Sequence, residues 1–303
     1  MSADAPAPEL FLLGAARSGT SLLYKCLCLH PEAAWVSNWV RRFPAVPTLG
    51  ALNRLPARLS GARTAVWFGG GGNAYVYGAP RRLAERIFPM PVEGEPFFNR
   101  HGIAPPGTEA PGGRAGPSTL PAAVASVIRS SGGRVFVSKR IANNWRVPQL
   151  AAAFPSARFV ELVRDGRAVA YSLSRVDWWE ESELVWLPGT PADWRRRGMD
   201  PWELCARNWV AELDAIADGI GGLPADRRLR LAYEDFVAAP IEALESVAAF
   251  AGLRPSPEWR RRLAALSFPD RNEAWRARLE PDVARRIESF QEAHLKAHGY
   301  AVG

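Results

Sequence analysis

Residues 10–14 read LFLLG, an unbroken apolar run closed by glycine, and the chain continues AARSGTS through Ser21. Four consecutive apolar residues stopped by glycine predict a strand buried on both faces of a parallel sheet. Gly14 and Gly19 then stand in a G-x4-G frame, and a helix is expected over residues 19–29. In such a strand, loop and helix the backbone N–H groups of the loop and the helix N-terminus converge on an anion without any side-chain charge. The position after the second glycine is Thr20 instead of the lysine that reaches the outer phosphates in nucleotide triphosphatases. That disfavours an ATPase or GTPase. The cation stands inside the loop as Arg17, which suits a shorter phosphate group seated deeper.

The same alternation repeats downstream. Residues 134–139 (RVFVSK), 157–163 (ARFVELV) and 229–233 (LRLAY) read as strands, and residues 144–154, 165–175 and 201–220 as helices. Strands alternating with helices predict an α/β fold, a P-loop-type doubly wound parallel sheet flanked by helices. The C-terminal part reads as helical, with helices over 240–251, from Pro257 and from Pro281, each opening on proline. Between residues 69 and 133 the character changes, since 22 of those 65 positions are Gly or Pro. The expected organisation is a flexible N-terminus over 1–8 and a single domain over 9–303, interrupted by a Gly/Pro-rich insertion at about 69–133 that is substrate-facing or partly disordered.

Composition removes several classes. With 48% hydrophobic and 23% charged residues, the 303-residue chain resembles a soluble globular protein. No apolar stretch is long enough to span a membrane and the first residues lack a signal-peptide pattern, so a cytoplasmic protein is expected. Three cysteines, Cys26, Cys28 and Cys205, cannot build a disulfide framework and are expected as buried thiols. His294 and His298 lie four apart without a third ligand, so no metal is expected. The net charge is +7 and 35 of the 38 basic residues are arginine, which points to anionic ligands. Clusters such as 195–197 and 260–262 could follow a nucleic-acid backbone, but 31 carboxylates are interspersed and no nucleic-acid motif is present.

A second constellation follows the strand ending at Val163. Arg164 stands at the carboxyl end of a central strand, where open α/β sheets bind ligands, and Ser172 lies two helical turns on. A phosphate separate from the one at Gly14 could bridge them.

With both elements in place, the chain resembles a 3′-phosphoadenosine 5′-phosphosulfate (PAPS)-dependent sulfotransferase, of the bacterial kind related to tyrosylprotein sulfotransferases. The ARSGTS segment resembles the family's 5′-phosphate loop, and Arg164 with Ser172 matches its R-x7-S element for the 3′-phosphate. Tyr233-Glu234-Asp235-Phe236 resembles a third element whose tyrosine contacts adenine, and residues 275–279 with Gly299-Tyr300 resemble its C-terminal helix. The resemblance implies that Arg17, Ser18, Gly19, Thr20 and Ser21 hold the 5′-phosphate, Arg164 and Ser172 the 3′-phosphate, and Tyr233 the base. Lys139 falls where the family has a lysine beside the phosphosulfate bridge. PAPS is the implied sulfuryl donor, adenosine 3′,5′-bisphosphate the product, and no metal is implied.

Two positions depart from the pattern. Leu22 replaces the tryptophan that stacks on adenine in the cytosolic branch, and Ile141 stands where that branch has a catalytic histidine. Ser37-Asn38 falls where the tyrosylprotein branch has its glutamate. The base must come from elsewhere. Glu93 resembles a Pro-x-Glu element of bacterial relatives and is the first candidate, with Glu95, His101 and Asp177 behind it. The expected catalytic set is Lys139, Arg17 and Glu93, acting by in-line displacement on a hydroxyl or amine acceptor. A P-loop small-molecule kinase and a non-catalytic nucleotide-binding module stay open as alternatives. Six tryptophans between 178 and 209 are divided between core and a lid, the Trp178-Trp179 pair being the lid candidate. The acceptor, whether small molecule, glycan or peptide, is left open, with neither nucleic acid nor membrane span expected among the partners.

Overall fold

The structure, a computed structural model, describes residues 8–68, 86–104 and 118–303. The expected flexible N-terminus, except Pro8, and much of the Gly/Pro-rich interval (69–85 and 105–117) lie outside the described residues.

Five strands form one sheet: β1 (Leu10–Leu13), β2 (Ala33–Ala34), β3 (Val135–Lys139), β4 (Arg158–Val163) and β5 (Arg228–Ala232). Their spatial order is β2-β3-β1-β4-β5 and every pairing is parallel. The chain leaves β1 toward β2 and β3 on one side and crosses to β4 and β5 on the other, which creates a crevice at the carboxyl ends of the central strands.

The apolar runs bury both faces, as expected of a parallel sheet. Leu10, Leu12, Val135, Val137, Val160 and Leu162 point into one core layer with the helices Thr20–Cys28 and Pro240–Phe250. Phe11, Leu13, Phe136, Phe159 and Val163 point into the opposite layer, against the helices Leu120–Ser131, Val147–Ala153 and Pro201–Gly221. Strand β5 is the exception. It is an edge, half exposed, with Arg228 and Arg230 exposed and Arg230 paired back to Glu161 of β4; charge on an edge strand discourages further strand addition.

The fold class read from the sequence is observed, with local differences. The helix expected over 144–154 is divided into a 3-10 turn, Ile141–Trp145, and the helix Val147–Ala153, which restarts with Pro148 in its first turn. Residues 275–279 are not part of the C-terminal helix. Trp275 ends a 3-10 turn, and the helix runs Pro281–Ala297. The end of the Gly/Pro-rich interval is the core helix Leu120–Ser131, with Leu120, Ala123, Val124 and Val127 buried at helical spacing. Cys26, Cys28 and Cys205 are buried free thiols, and burial pushes the Cys205 thiol up to about 12. Among the described residues no helix is long and apolar enough to cross a membrane.

Candidate functional site

The turn out of β1 needs its glycines. A Cβ on Gly14 would lie 2.6 Å from the Leu162 carbonyl oxygen, and Gly19, at φ 92°, caps the helix Thr20–Cys28 where a Cβ would lie 2.7 Å from the Tyr233 ring. Between them Arg17 also has a left-handed backbone, φ 72°, alone in this among the described non-glycine residues. Such a conformation costs on the order of 1–2 kcal/mol, and it accompanies a side chain aimed across the crevice. Arg17 Nε donates to Ser172 Oγ at 3.0 Å.

Arg164, at the end of β4, locks the same loop from below. Its Nη1 donates to the Arg17 carbonyl at 3.0 Å, its Nη2 to the Arg271 carbonyl at 2.8 Å and its Nε to Asn272 Oδ1 at 3.1 Å. The guanidinium lies 4.4 Å over the Tyr233 ring. Burial lowers its proton affinity, and the surrounding Tyr233, Glu234, Asp270 and Asp165 pull the other way. One buried fork therefore joins three segments distant in sequence.

A buried polar chain supports the loop from behind. Asn144 Oδ1 accepts from Gly14 N at 3.1 Å, and Asn144 Nδ2 donates to the Gly14 carbonyl at 3.0 Å and to Glu212 Oε2 at 2.6 Å. Glu212 Oε1 accepts from Asn208 Nδ2 at 3.1 Å, whose Oδ1 accepts from Trp186 Nε1 at 3.0 Å. Burial pushes the Glu212 carboxyl up to about 7, against the hydrogen bonds from Asn208, Asn144 and the Ala16 N–H and the positive charge of Lys139. Nothing at the sequence level singled out these residues. The available signal was two polar residues, Asn208 and Glu212, one turn apart on the otherwise apolar buried face of the helix.

These elements enclose a cavity of about 380 Å³ at the carboxyl ends of β1, β3 and β4. Arg17, Gly19, Thr20, Ser21, Arg164, Ser172, Tyr233, Lys139 and Glu93 all line it. Ser18 does not. It is fully buried, and its Oγ has no hydrogen-bond partner among the described residues. The wall also contains Arg175, Ser267 and Arg271, which no sequence pattern marked, and Leu22, Ile141, Val176 and Trp178 supply apolar surface. Among the described residues that line it, Glu93 is the single carboxylate beside four guanidinium groups and one ammonium, so the cavity is strongly cationic.

Lys139 ends β3 with its side chain almost wholly buried, and it is ion-paired with Glu93 Oε1. Glu93 Oε2 accepts from the Ile141 N–H at 3.4 Å. The stretch carrying Glu93 is tied down by the Val92 N–H to the Val36 carbonyl at 3.1 Å and by a bridge between Ser37 and Pro91. Of the four base candidates, only Glu93 lines the cavity. Glu95 instead accepts from Arg140 Nε at 3.0 Å and Arg146 Nη2 at 3.0 Å. Burial would raise its carboxyl, but these two guanidinium groups outweigh that and hold it below the usual carboxylate range. His101 is engaged through Nδ1 with Thr119 Oγ1 at 2.8 Å and through Nε2 with the Pro44 carbonyl at 3.0 Å. Ser37 serves as a helix cap, accepting from Val40 N. Of the lid candidates, Trp178 lines the cavity and Trp179 is core.

The arginine clusters are largely paired with carboxylates: Arg195 with Glu180, Arg196 with Asp193, Arg260 with Glu245 and Arg262 with Glu258.

A family model described as the sulfotransferase family matches residues 94–257, just over half of the chain. The match includes Lys139, Arg164 and Ser172 and begins one residue after Glu93. No curated protein matches the sequence. Among solved structures, a sulfotransferase from Mycobacterium avium is 16% identical with a TM-score of 0.58, covering 99% of this chain and 79% of that one. The sulfotransferase domain from the curacin biosynthetic pathway is 15% identical with a TM-score of 0.55, covering 99% and 100%. The sulfotransferase domain of the Synechococcus PCC 7002 olefin synthase is 16% identical with a TM-score of 0.52, covering 100% and 99%. At such identities the likeness is one of fold alone, and it spans nearly the whole chain. On the strength of the family match, the chain belongs to the sulfotransferase family and is an enzyme of that family.

Proposed function

We propose that the protein moves a sulfuryl group from PAPS to a hydroxyl or amine acceptor by in-line displacement at sulfur. The observation that carries this reading is the closure of the two phosphate elements over one cavity: Arg17 reaches Ser172, and Arg164 holds the Arg17 carbonyl, with Lys139 and Glu93 in the same wall. The lining fits the donor. Its loop amides, the hydroxyls of Thr20, Ser21 and Ser172, and its cations match two phosphate groups, while Leu22 and the Tyr233 ring offer surface to a base.

When bound, PAPS supplies an activated sulfuryl group on a phosphate leaving group. The chain's own residues then have separate tasks. Arg17, Thr20 and Ser21 hold the 5′-phosphate at the helix N-terminus, and Ser172 and Arg164 orient the 3′-phosphate. Lys139 and Arg17 carry positive charge to the bridging oxygen as its bond to sulfur breaks, which is electrostatic stabilisation placed where charge develops. Glu93 takes the acceptor's proton as the new bond to sulfur forms, the general-base role. The remaining catalysis is positioning.

The test is transfer of labelled sulfate from PAPS to a panel of phenolic, alcoholic, glycan and peptide-tyrosine acceptors, with ATP as competitor. Labelled product, with ATP a poor competitor, supports the reading. Phosphoryl transfer from ATP points to a small-molecule kinase, and tight PAPS binding without turnover on any acceptor points to a binding module.

A further inference from the structure

Of the six large hydrophobic residues that stand exposed among the described residues, five belong to one region: Phe43, Val46, Leu55, Leu59 and Ile87. The helix Asn38–Arg42 packs on the 3-10 turn Pro47–Asn53, which packs in turn on the helix Arg54–Arg58. Ile87 is joined to them by Trp39 Nε1, which donates to its carbonyl at 2.7 Å, and by Asn38 Nδ2, which donates to the Arg86 and Phe88 carbonyls. The segments that carry these exposed side chains are thus neighbours, tied to one another by packing and hydrogen bonds. Monomeric soluble proteins seldom cluster exposed apolar side chains in this way without a partner.

Its charge is equally one-sided. In the sequence no acidic residue occurs between Glu32 and Glu85, an interval holding seven arginines. Arg41, Arg42, Arg54, Arg58 and Arg86 are exposed, and none has an ion-pair partner among the described residues. This sets them apart from Arg195, Arg196, Arg260 and Arg262, each neutralised by a carboxylate.

We infer that this surface docks the protein on an anionic lipid bilayer, with the arginines at the headgroups and Phe43, Val46, Leu55, Leu59 and Ile87 entering the acyl boundary. The combination of interleaved cations and aliphatic side chains decides between occupants. A second copy of the chain would bring arginines against arginines across a two-fold interface. Nucleic acid would satisfy the cations but leave four aliphatic side chains without apolar contact. A bilayer surface satisfies both, since interfacial segments combine buried apolar area with attraction to negative headgroups. The contact is peripheral and reversible, and it is independent of the sulfuryl-transfer reading.

The test is co-sedimentation of the full chain with vesicles of phosphatidylcholine alone and of phosphatidylcholine mixed with phosphatidylglycerol. Binding to the mixed vesicles only, weakened by raised salt, is expected. The double variant Arg41→Glu, Arg42→Glu should lower the affinity at least about tenfold, and Leu55→Ser, Leu59→Ser should lower it while keeping every charge. Both sets lie on exposed positions outside the cavity, so circular dichroism and PAPS binding should match the unmodified chain. Absence of vesicle binding, equal binding to neutral vesicles, or binding unchanged in either double variant would overturn the proposal. So would a concentration-dependent dimer, or an RNA complex tighter than the vesicle complex, that the same substitutions abolish.

Discussion

Arg17 and Ser172, 155 positions apart, are joined by a 3.0 Å hydrogen bond from guanidinium to hydroxyl, so the loop after β1 and the helix after β4 meet in one wall of the cavity. Ser172 contributes one neutral acceptor to this contact. Ser172→Ala should weaken binding of adenosine 3′,5′-bisphosphate about two- to tenfold, the value of a single hydrogen bond of roughly 0.5–1.5 kcal/mol. Isothermal titration calorimetry checks this, and Arg17→Ala should go further and abolish measurable transfer.

Arg164 does two jobs and its removal should show both. Arg164→Ala deprives the Arg17 and Arg271 carbonyls and Asn272 of their donor, so the melting temperature and nucleotide affinity should fall together. Arg164→Lys should not restore them, because an ammonium lacks the planar fork that reaches three acceptors in fixed directions. Nucleotide affinity unchanged in Arg164→Ala would remove the 3′-phosphate assignment.

Glu93 and Glu95 are two residues apart yet should fail differently. Glu93→Gln keeps the shape and removes the proton acceptor. Turnover should drop at least about a hundredfold with donor binding intact. Glu95→Gln leaves the buried Arg140 and Arg146 without their carboxylate. It should lower the melting temperature, by a free energy on the order of 1–3 kcal/mol given that Glu95 is itself partly open to solvent. Steady-state kinetics beside thermal unfolding separates the two.

Lys139→Ala should lower kcat far more than it weakens product-nucleotide binding, if its charge is used chiefly as the leaving oxygen becomes negative. Equal losses in both would make it a plain binding residue.

Glu212 predicts a pH dependence of stability. Its carboxyl titrates near 7 in the folded protein and near 4.3 in an unfolded chain, so between these values the folded state holds the extra proton. Stability is therefore lost as pH rises through that window, by up to about 4 kcal/mol, and levels off above it. In Glu212→Gln this component of the slope should vanish while the protein is less stable throughout, because an amide cannot accept from every donor facing Glu212. Urea unfolding at a series of pH values reads both effects.

The parts of this molecule that repeat a simple period were legible from the sequence. LFLL, VFVSK and RFVELV carry their burial on both faces in their composition, and the two proposed phosphate elements are each contiguous in sequence. Strand β2 is two alanines long and leaves no pattern. The helix Leu120–Ser131 has a clear apolar stripe, but it follows a run of glycine and proline that masked it. Arg271, Asn272, Asn144 and Glu212 meet the site only through tertiary contacts, and no local spacing encodes such an encounter. Glu93 was reachable because it sits in a short Pro-x-Glu element, but its pairing with Lys139 depends on the register of β3 against the rest of the sheet.

The left-handed backbone at Arg17 sets folding and function against each other at a single codon. Glycine would occupy that conformation without steric penalty, so a population selected only to survive heat would have reason to drift toward it. The same change would delete the guanidinium that reaches Ser172 across the cavity wall. Arginine at this position therefore couples a strained backbone to the side-chain contact that crosses from this loop to Ser172.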